Sequence, residues 1–180
     1  MNEKSNSQLM PVSQTSCLSI IEKKDSLGLI RYVSTLTPLD GVDSKNQLST
    51  IKREKGEDYA LEQIIYLIKW LNEAFTKNLS DSAIFEVSLD ILNDYWFFKI
   101  EDIAFFAKEF RKGNIIKIPY HLEIQHIYEG LKVYDRMRMG LIQKRHNDIK
   151  QEGNQQRQPD LTNGQRIDNI VGHINYNKKM

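Results

Sequence analysis

The sequence contains a single cysteine, Cys17, and this scarcity limits the kinds of site that the chain can form. One thiol cannot form an intrachain disulfide, and a cysteine-based metal site would also need histidine or carboxylate ligands. The four histidines do not meet this need, because His121 and His126 are five residues apart where one helical face requires three or four. We therefore expect no disulfide, no metal site and no cofactor.

Glycine is also sparse, with nine residues scattered singly, and neither G-x-x-x-x-G-K-[ST] nor G-x-G-x-x-G occurs. Without such loops the chain has no recognisable cradle for the phosphates of a nucleotide. Cys17 lies at the start of a predicted helix, where a small apolar packing role is expected, with a reactive thiol as the alternative. No base is recognisable for a nucleophile, so we expect the protein not to be an enzyme.

Long apolar runs are absent as well, and none approaches the roughly 20 residues that a membrane-crossing helix needs. The first 15 residues lack the apolar stretch that precedes a signal-peptide cleavage site. The content of 40% hydrophobic and 27% charged residues is that of a soluble globular protein. The sequence thus predicts a cytoplasmic protein without a membrane span.

The two ends of the chain are polar. Ser, Asn and Gln dominate residues 1–15, and residues 151–180 are rich in Gln, Asn and Gly. Such segments bury too little to offset the entropy of ordering a chain. We therefore expect disordered ends around a single helical domain that covers residues 16–150.

Hydrophobic spacing within that domain predicts an all-α fold, a compact bundle of about four to six helices. The strongest pattern spans residues 58–77, where these apolar residues recur at spacings of three and four: Leu61, Ile64, Ile68, Leu71 and Phe75. We expect this helix to lie centrally, because further apolar side chains widen its buried face. The same spacing predicts helices after Ser80, from residue 100 to about 112, and from about Tyr120 to Lys150.

Caps indicate where helices begin and end. Ser16 and Ser80 are suited to accept a hydrogen bond from a free amide in a first helical turn. Gly56 is expected to stop a short helix over residues 48–55, and Gly113 to end another in the left-handed conformation.

Helix-breaking residues predict two irregular regions. Gly28 and the stretch 34–46, which contains Pro38 and the turn pair Asp40-Gly41, are expected to interrupt the helical pattern. Residues 115–119 alternate in polarity, but one strand without a partner does not make a sheet. We expect them to form a connector that lies over the core.

The net charge of +1 is distributed unevenly along the chain. Residues 1–56 carry eight Lys and Arg against six Asp and Glu, residues 57–131 carry seven against 13, and residues 132–180 carry ten against five. The three segments therefore have net charges of +2, −6 and +5. An acidic centre is followed by a basic C-terminal part.

That basic part contains the best candidates for a binding surface, on the predicted last helix: Lys132, Arg136, Arg138, Lys144, Arg145 and Lys150. Cations near the end of a helix also suit its dipole, so part of this pattern has a structural explanation. As a surface, the cluster is suited to follow the phosphates of a nucleic acid or to dock on an acidic protein.

Two carboxylate pairs and one aromatic run have both structural and functional interpretations. Glu101-Asp102 and the pair Glu86 and Asp90 could support acid–base or metal chemistry, but we expect solvated positions that favour a first helical turn. The run at residues 95–98 could stack the bases of a single-stranded nucleic acid. Because it lacks interleaved Lys or Arg, we expect it to pack in the core.

The order of these segments resembles a family of small uncharacterised helical proteins that phages and other mobile elements of Bacteroidetes encode. The similarity covers residues 17 to about 138 and rests on these pieces: residues 17–22, 51–57, 70–75, 79–81 and, above all, 91–113 (ILNDYWFFKIEDIAFFAKEFRKG). Family members continue with a turn that contains Tyr-Gly. Here residues 113–123 lack that second glycine, and residues 25–46 look like an insertion.

The resemblance implies an accessory protein of a mobile element that works near DNA replication, and it carries over no catalytic residues. Together with the charge pattern, it predicts a protein that binds a replication or nucleoprotein partner, including DNA, through the basic last helix, with the acidic centre as a second surface. Two alternatives stay open: a structural or packaged phage protein whose ends are ordered by neighbouring subunits, and a small inhibitor of a host enzyme.

Overall fold

The computed structural model describes residues 16–117 and 121–156, and it confirms the all-α fold class. These residues form eight helices: α1 (Cys17–Glu22), α2 (Ser26–Thr35), α3 (Pro38–Asp43), α4 (Leu48–Lys55), α5 (Glu57–Asn72), α6 (Asp81–Asp94), α7 (Ile100–Arg111) and α8 (Ile124–Gln156). Extended pairing within the described residues is limited to two isolated bridges, Gln47 with Lys99 and Lys77 with His121.

Local chemistry explains most of the helix boundaries. Ser16 accepts a hydrogen bond from the amide of Ser19 at the start of α1, and Ser80 accepts one from Ala83 at the start of α6. Gly56 (φ +95°) separates α4 from α5, and Gly113 (φ +71°) follows α7 in the left-handed region that glycine tolerates. All four predicted boundary residues are confirmed.

The region predicted to interrupt the helical pattern contains two helices instead, so this prediction was wrong. Gly28 lies within α2, where its amide donates to the capping carboxylate of Asp25. Pro38 occupies the first turn of α3, where its missing N–H costs nothing. The Asp40 carboxylate accepts hydrogen bonds from the amide and the hydroxyl of Thr37, at 2.6 and 2.7 Å, so the predicted turn pair Asp40-Gly41 lies inside a capped helix.

Helix α5 lies centrally, as predicted, and packs against α4, α6 and α7. It ends at Asn72, five residues before the predicted end. The Asn72 side chain exchanges hydrogen bonds with the backbone of Leu79, which fixes the loop that leads to α6. Most of the buried apolar side chains form one cluster, in which Phe98, Phe106 and Phe110 are among the largest.

The loop between α6 and α7 is tied to the start of α4 by backbone hydrogen bonds. Leu48 and Ser49 donate their amides to the carbonyls of Phe98 and Trp96, at 2.9 and 3.0 Å, and Ile100 donates to Asn46. The aromatic run therefore has a fixed backbone although it is not helical.

Residue contacts divide the chain into two units, Met1–Leu141 and Ile142–Met180, and α8 contributes to both. Helix α8 begins at Ile124 and continues to Gln156, six residues into the segment that was expected to be disordered. The other residues expected to be disordered, 1–15 and 157–180, lie outside the described residues, as does the end of the predicted connector. The single domain over residues 16–150 stays a prediction.

Candidate functional site

The basic residues predicted to form one surface occupy different environments along α8. Within the first unit, Lys132 and Arg136 are exposed and lie one turn apart, which places them on the same side of the helix. Arg138, by contrast, is buried, with only 6% of its surface exposed. The structure therefore removes Arg138 from the predicted binding surface.

Arg138 forms an internal ion pair with Asp102 of α7. Its Nε lies 2.9 Å from Oδ2 of Asp102, a side chain that has no exposed surface. The Arg138 guanidinium also lies 5.3 Å from the ring centroid of Phe98, a distance that allows a cation–π contact. Because the same residue meets a carboxylate and an aromatic ring, α8 is tied to α7 at a defined position.

Asp102 accepts further hydrogen bonds from two other residues. The Tyr134 hydroxyl of α8 donates to Oδ1 at 3.0 Å, and the amide of Lys99 donates to Oδ2 at 2.9 Å. Burial and the neighbouring Asp102 carboxylate raise the pKa of Tyr134 well above its ordinary value. The carboxylate of Asp102 is thus surrounded by donors of the protein itself and is unsuited to acid–base chemistry on a substrate.

Glu101, beside Asp102, is buried too, with 4% exposure, so the expectation that this pair is solvated was wrong. Its carboxylate accepts hydrogen bonds from Ser44 and from Nδ2 of Asn46, the latter at 2.7 Å. The ammonium group of Lys99 donates to the carbonyl of Val42. These contacts bind the end of α3 and the residues after it to the start of α7, so the pair organises the fold instead of facing solvent.

The second carboxylate pair, Glu86 and Asp90, does not form a shared binding or catalytic site either. Asp90 is half-buried and accepts a hydrogen bond from the Tyr128 hydroxyl of α8, whereas Glu86 is exposed. Among the described residues, no group of three or more His, Cys, Asp and Glu side chains is arranged to hold a metal ion.

In the second unit, Ile142 is half-buried, and the described side chains of α8 beyond it are exposed on every side. Side chains 143–152 are all exposed, including those of Lys144, Arg145 and Lys150. A helix that is solvated all round gains little from burial, and such helices are usually supported by side-chain pairs or by a partner. Three predicted basic residues thus lie on a helical segment without a buried face.

The aromatic run is split between the core and the surface. Phe98 is fully buried, as predicted, but Trp96 is 54% exposed and Tyr95 and Phe97 are half-buried. The expectation that the run packs in the core was therefore wrong for Trp96. Hydrogen bonds to α4 fix the backbone of the run, and in this conformation the Trp96 indole is exposed. Hydrophobic spacing does not reveal such a backbone constraint.

Cys17 is fully buried, which confirms the predicted packing role. Burial, and to a smaller extent the charge of Glu101, raises the pKa of its thiol well above the ordinary value. A nucleophilic thiolate is strongly disfavoured at this position.

Comparison of the chain with models of protein families, with characterised proteins and with solved structures found no match. The resemblance to proteins of phages and mobile elements therefore stays a prediction. Within the described residues, no helix combines the length and the apolar character needed to cross a membrane.

Proposed function

We propose that this protein is a non-enzymatic accessory protein that binds a nucleoprotein or replication partner by contacting nucleic-acid phosphates with α8. The observation that carries the proposal is the helical segment 143–152, in which every side chain is exposed. This segment includes the basic residues Lys144, Arg145 and Lys150. In the first unit, Lys132 and Arg136 are exposed basic residues as well. The predicted setting in a phage or mobile element supports the same role.

Charge and exposure favour phosphates over a small-molecule substrate. Residues 132–180 have a net charge of +5, and basic side chains that release counterions from a nucleic acid bind it without needing a cavity. The internal polar cluster around Asp102 offers no opening to a reactant, since Asp102 has no exposed surface. We therefore assign the partner contact to the exposed positions of α8 and no catalytic role to the buried carboxylates.

The test is fluorescence anisotropy with labelled single- and double-stranded DNA over a series of salt concentrations. We expect the affinity to fall as salt rises. Replacing both Lys144 and Arg145 by Ala should reduce the slope of log K against log salt by about 1.4 for single strands and about 1.8 for duplexes, if each residue contacts one phosphate.

The matched control replaces Lys23 and Arg31 by Ala, because these exposed residues lie on the first unit and their loss changes the net charge equally. Equal losses in the two double variants would mean that overall charge, not α8, attracts the DNA. Absence of salt-dependent binding to either DNA form would remove the nucleic-acid proposal.

A further inference from the structure

A second surface, opposite in charge to the basic residues of α8, surrounds the exposed indole of Trp96. We define the acidic aromatic patch as Asp94, Tyr95, Trp96, Phe97 and Asp135. The indole has 54% of its surface in solvent, although backbone hydrogen bonds to α4 fix the loop that carries it. Exposed tryptophans of this kind are frequent anchors of protein interfaces.

The rings of the patch support one another. The centroids of Trp96 and Phe97 are 5.8 Å apart with their planes nearly perpendicular, at 89°, and those of Tyr95 and Phe97 are 6.2 Å apart. Phe97 in turn packs edge to face against the buried Phe98, at 5.1 Å. Because the backbone and the neighbouring rings hold Trp96, a ligand need not order the indole before binding it.

The exposed charge beside these rings is negative. Asp94 precedes Tyr95 in the chain. Asp135 follows Tyr134, whose ring centroid lies 5.7 Å from that of Phe98. The Phe98 centroid is in turn 4.9 Å from that of Tyr95. Burial and, to a smaller extent, the carboxylates of Asp135 and Asp94 raise the pKa of the Tyr95 hydroxyl.

The Arg138 guanidinium lies 5.8 Å from the Phe97 centroid, but it is buried and paired with Asp102. Asp94 is exposed and Asp135 is half-buried. Oδ1 of Asp135 is buried and accepts no hydrogen bond from the described residues. A carboxylate oxygen buried in this way is unusual, since most buried polar atoms have a partner.

From this combination we infer that the acidic aromatic patch binds a basic segment of a partner protein, with an Arg or Lys side chain stacked on Trp96. A cation over an indole face is attracted by the ring, and the nearby carboxylates add to this attraction. Nucleic acid is disfavoured at the same place, since Asp94 and Asp135 would repel its phosphates. The patch therefore differs in charge and in partner from the exposed basic residues of α8, although Asp135 lies on that helix between Lys132 and Arg136.

Trp96 provides its own probe. The chain has two tryptophans, and the other, Trp70, is half-buried with the Arg111 guanidinium 4.1 Å from its ring centroid. In the full chain with Trp70→Phe, fluorescence reports Trp96 alone. We expect a short Arg- and Lys-rich peptide to change this emission with an affinity that falls with salt, and a Glu-rich peptide of equal length to have no effect.

Variants then locate the peptide. Trp96→Ala should weaken binding by about two- to fivefold, as expected for an exposed cation–π contact. Replacing Asp94 and Asp135 by Asn should weaken it further and reduce its salt dependence. The matched control replaces Phe85 by Ala and Glu86 by Gln, which alters an exposed aromatic and an exposed carboxylate more than two turns away on α6 and should leave affinity unchanged.

If Trp70→Phe fails to fold, titration calorimetry measures the affinity of the basic peptide for the wild-type chain and for Trp96→Ala instead. The inference is overturned if the basic peptide does not bind, if Trp96→Ala binds it as tightly as the wild type, or if oligothymidylate but not the peptide changes Trp96 emission. Replacing Lys144 and Arg145 by Ala should leave peptide binding intact. A negative result for DNA binding by α8 can therefore be distinguished from a negative result for peptide binding by the patch.

Discussion

Removal of the Arg138 guanidinium would leave the Asp102 carboxylate buried without its ion-pair partner. An uncompensated buried charge is costly, and loss of one member of such a pair typically destabilises a protein by about 3–5 kcal/mol. We expect Arg138→Met, which keeps much of the side-chain volume, to lower the free energy of unfolding by that amount. Urea denaturation monitored by circular dichroism measures the change.

Arg136→Met is the matched control, because Arg136 lies two residues away on the same helix and is exposed. We expect its effect to stay within about 0.5 kcal/mol. Adding Asp102→Asn to Arg138→Met should restore part of the lost stability, since it removes the buried charge. If the two Arg variants were equally stable, the ion pair would contribute nothing to the fold.

The position of Arg138 could have been anticipated from helical spacing. Ile127, Leu131 and Tyr134 recur at four and three residues, and the next step of four on the same face reaches Arg138. Apolar spacing alone favours a continuation of the face through Met137 and Leu141, so an assignment of burial by hydrophobicity leaves Arg138 at the surface. A charged residue in the register of a buried face indicates an internal partner, although spacing alone does not identify Asp102.

Helices α4 to α7 were largely predictable because local chemistry and hydrophobic spacing agree there. Gly56, Ser80 and Gly113 mark boundaries through their own backbone or side-chain properties. Helix α3 was missed because Pro and an Asp-Gly pair are read as breakers, whereas here the proline is in the first turn and the aspartate caps it. Whether a proline or an aspartate breaks a helix or begins one depends on the residues before and after it, and here also on the packing of α3 against α7.

The two glycines within α8 that belong to the first unit are expected to respond in opposite ways to alanine. A Cβ atom at Gly130 would lie 2.6 Å from Cε2 of Phe110 and 3.2 Å from Cε2 of Phe106, two buried rings that pack against each other. A Cβ atom at Gly140 would meet nothing within 4 Å.

We therefore expect Gly130→Ala to lower the free energy of unfolding by about 1–3 kcal/mol through overpacking, and Gly140→Ala to raise it by up to about 1 kcal/mol through helix propensity. Each variant is the control for the other, because the chemical change and the helix are the same. Denaturant midpoints with unchanged slopes would measure both. Stabilisation by Gly130→Ala would contradict the close packing of α8 against the rings of α7.

At the scale of the whole molecule, the two units should differ in their resistance to protease. Exposed helix without buried contacts opens at low cost, whereas helix anchored in a core opens only with the core. Among the sites in the described part of α8, we expect trypsin to cleave first after Lys144, Arg145 or Lys150 and much later after Arg138. Mass spectrometry over a time course identifies the order.

Comparing cleavage sites within α8 controls for the sequence preference of trypsin, because both units contain Lys and Arg residues of this helix. Cleavage after Lys132, Arg136 or Arg138 as early as after Lys144 would contradict the division of the chain at Leu141. Addition of DNA should slow cleavage after Lys144 and Arg145 if these residues contact it.

The contact between Asp102 and Arg138 joins positions that are 36 residues apart in the chain. Loss of either charge alone penalises the fold, whereas loss of both does not leave an uncompensated ion. During divergence, the two positions should therefore change together, passing as a pair to uncharged residues of similar volume. Gly41 should stay glycine through such a change, because a Cβ atom there would lie 2.2 Å from Oδ1 and 2.9 Å from Cγ of Asp102, space that a side chain of similar volume still fills. Correlated change at positions 102 and 138, beside a retained glycine at position 41, would let distant relatives be recognised after the rest of the sequence has diverged.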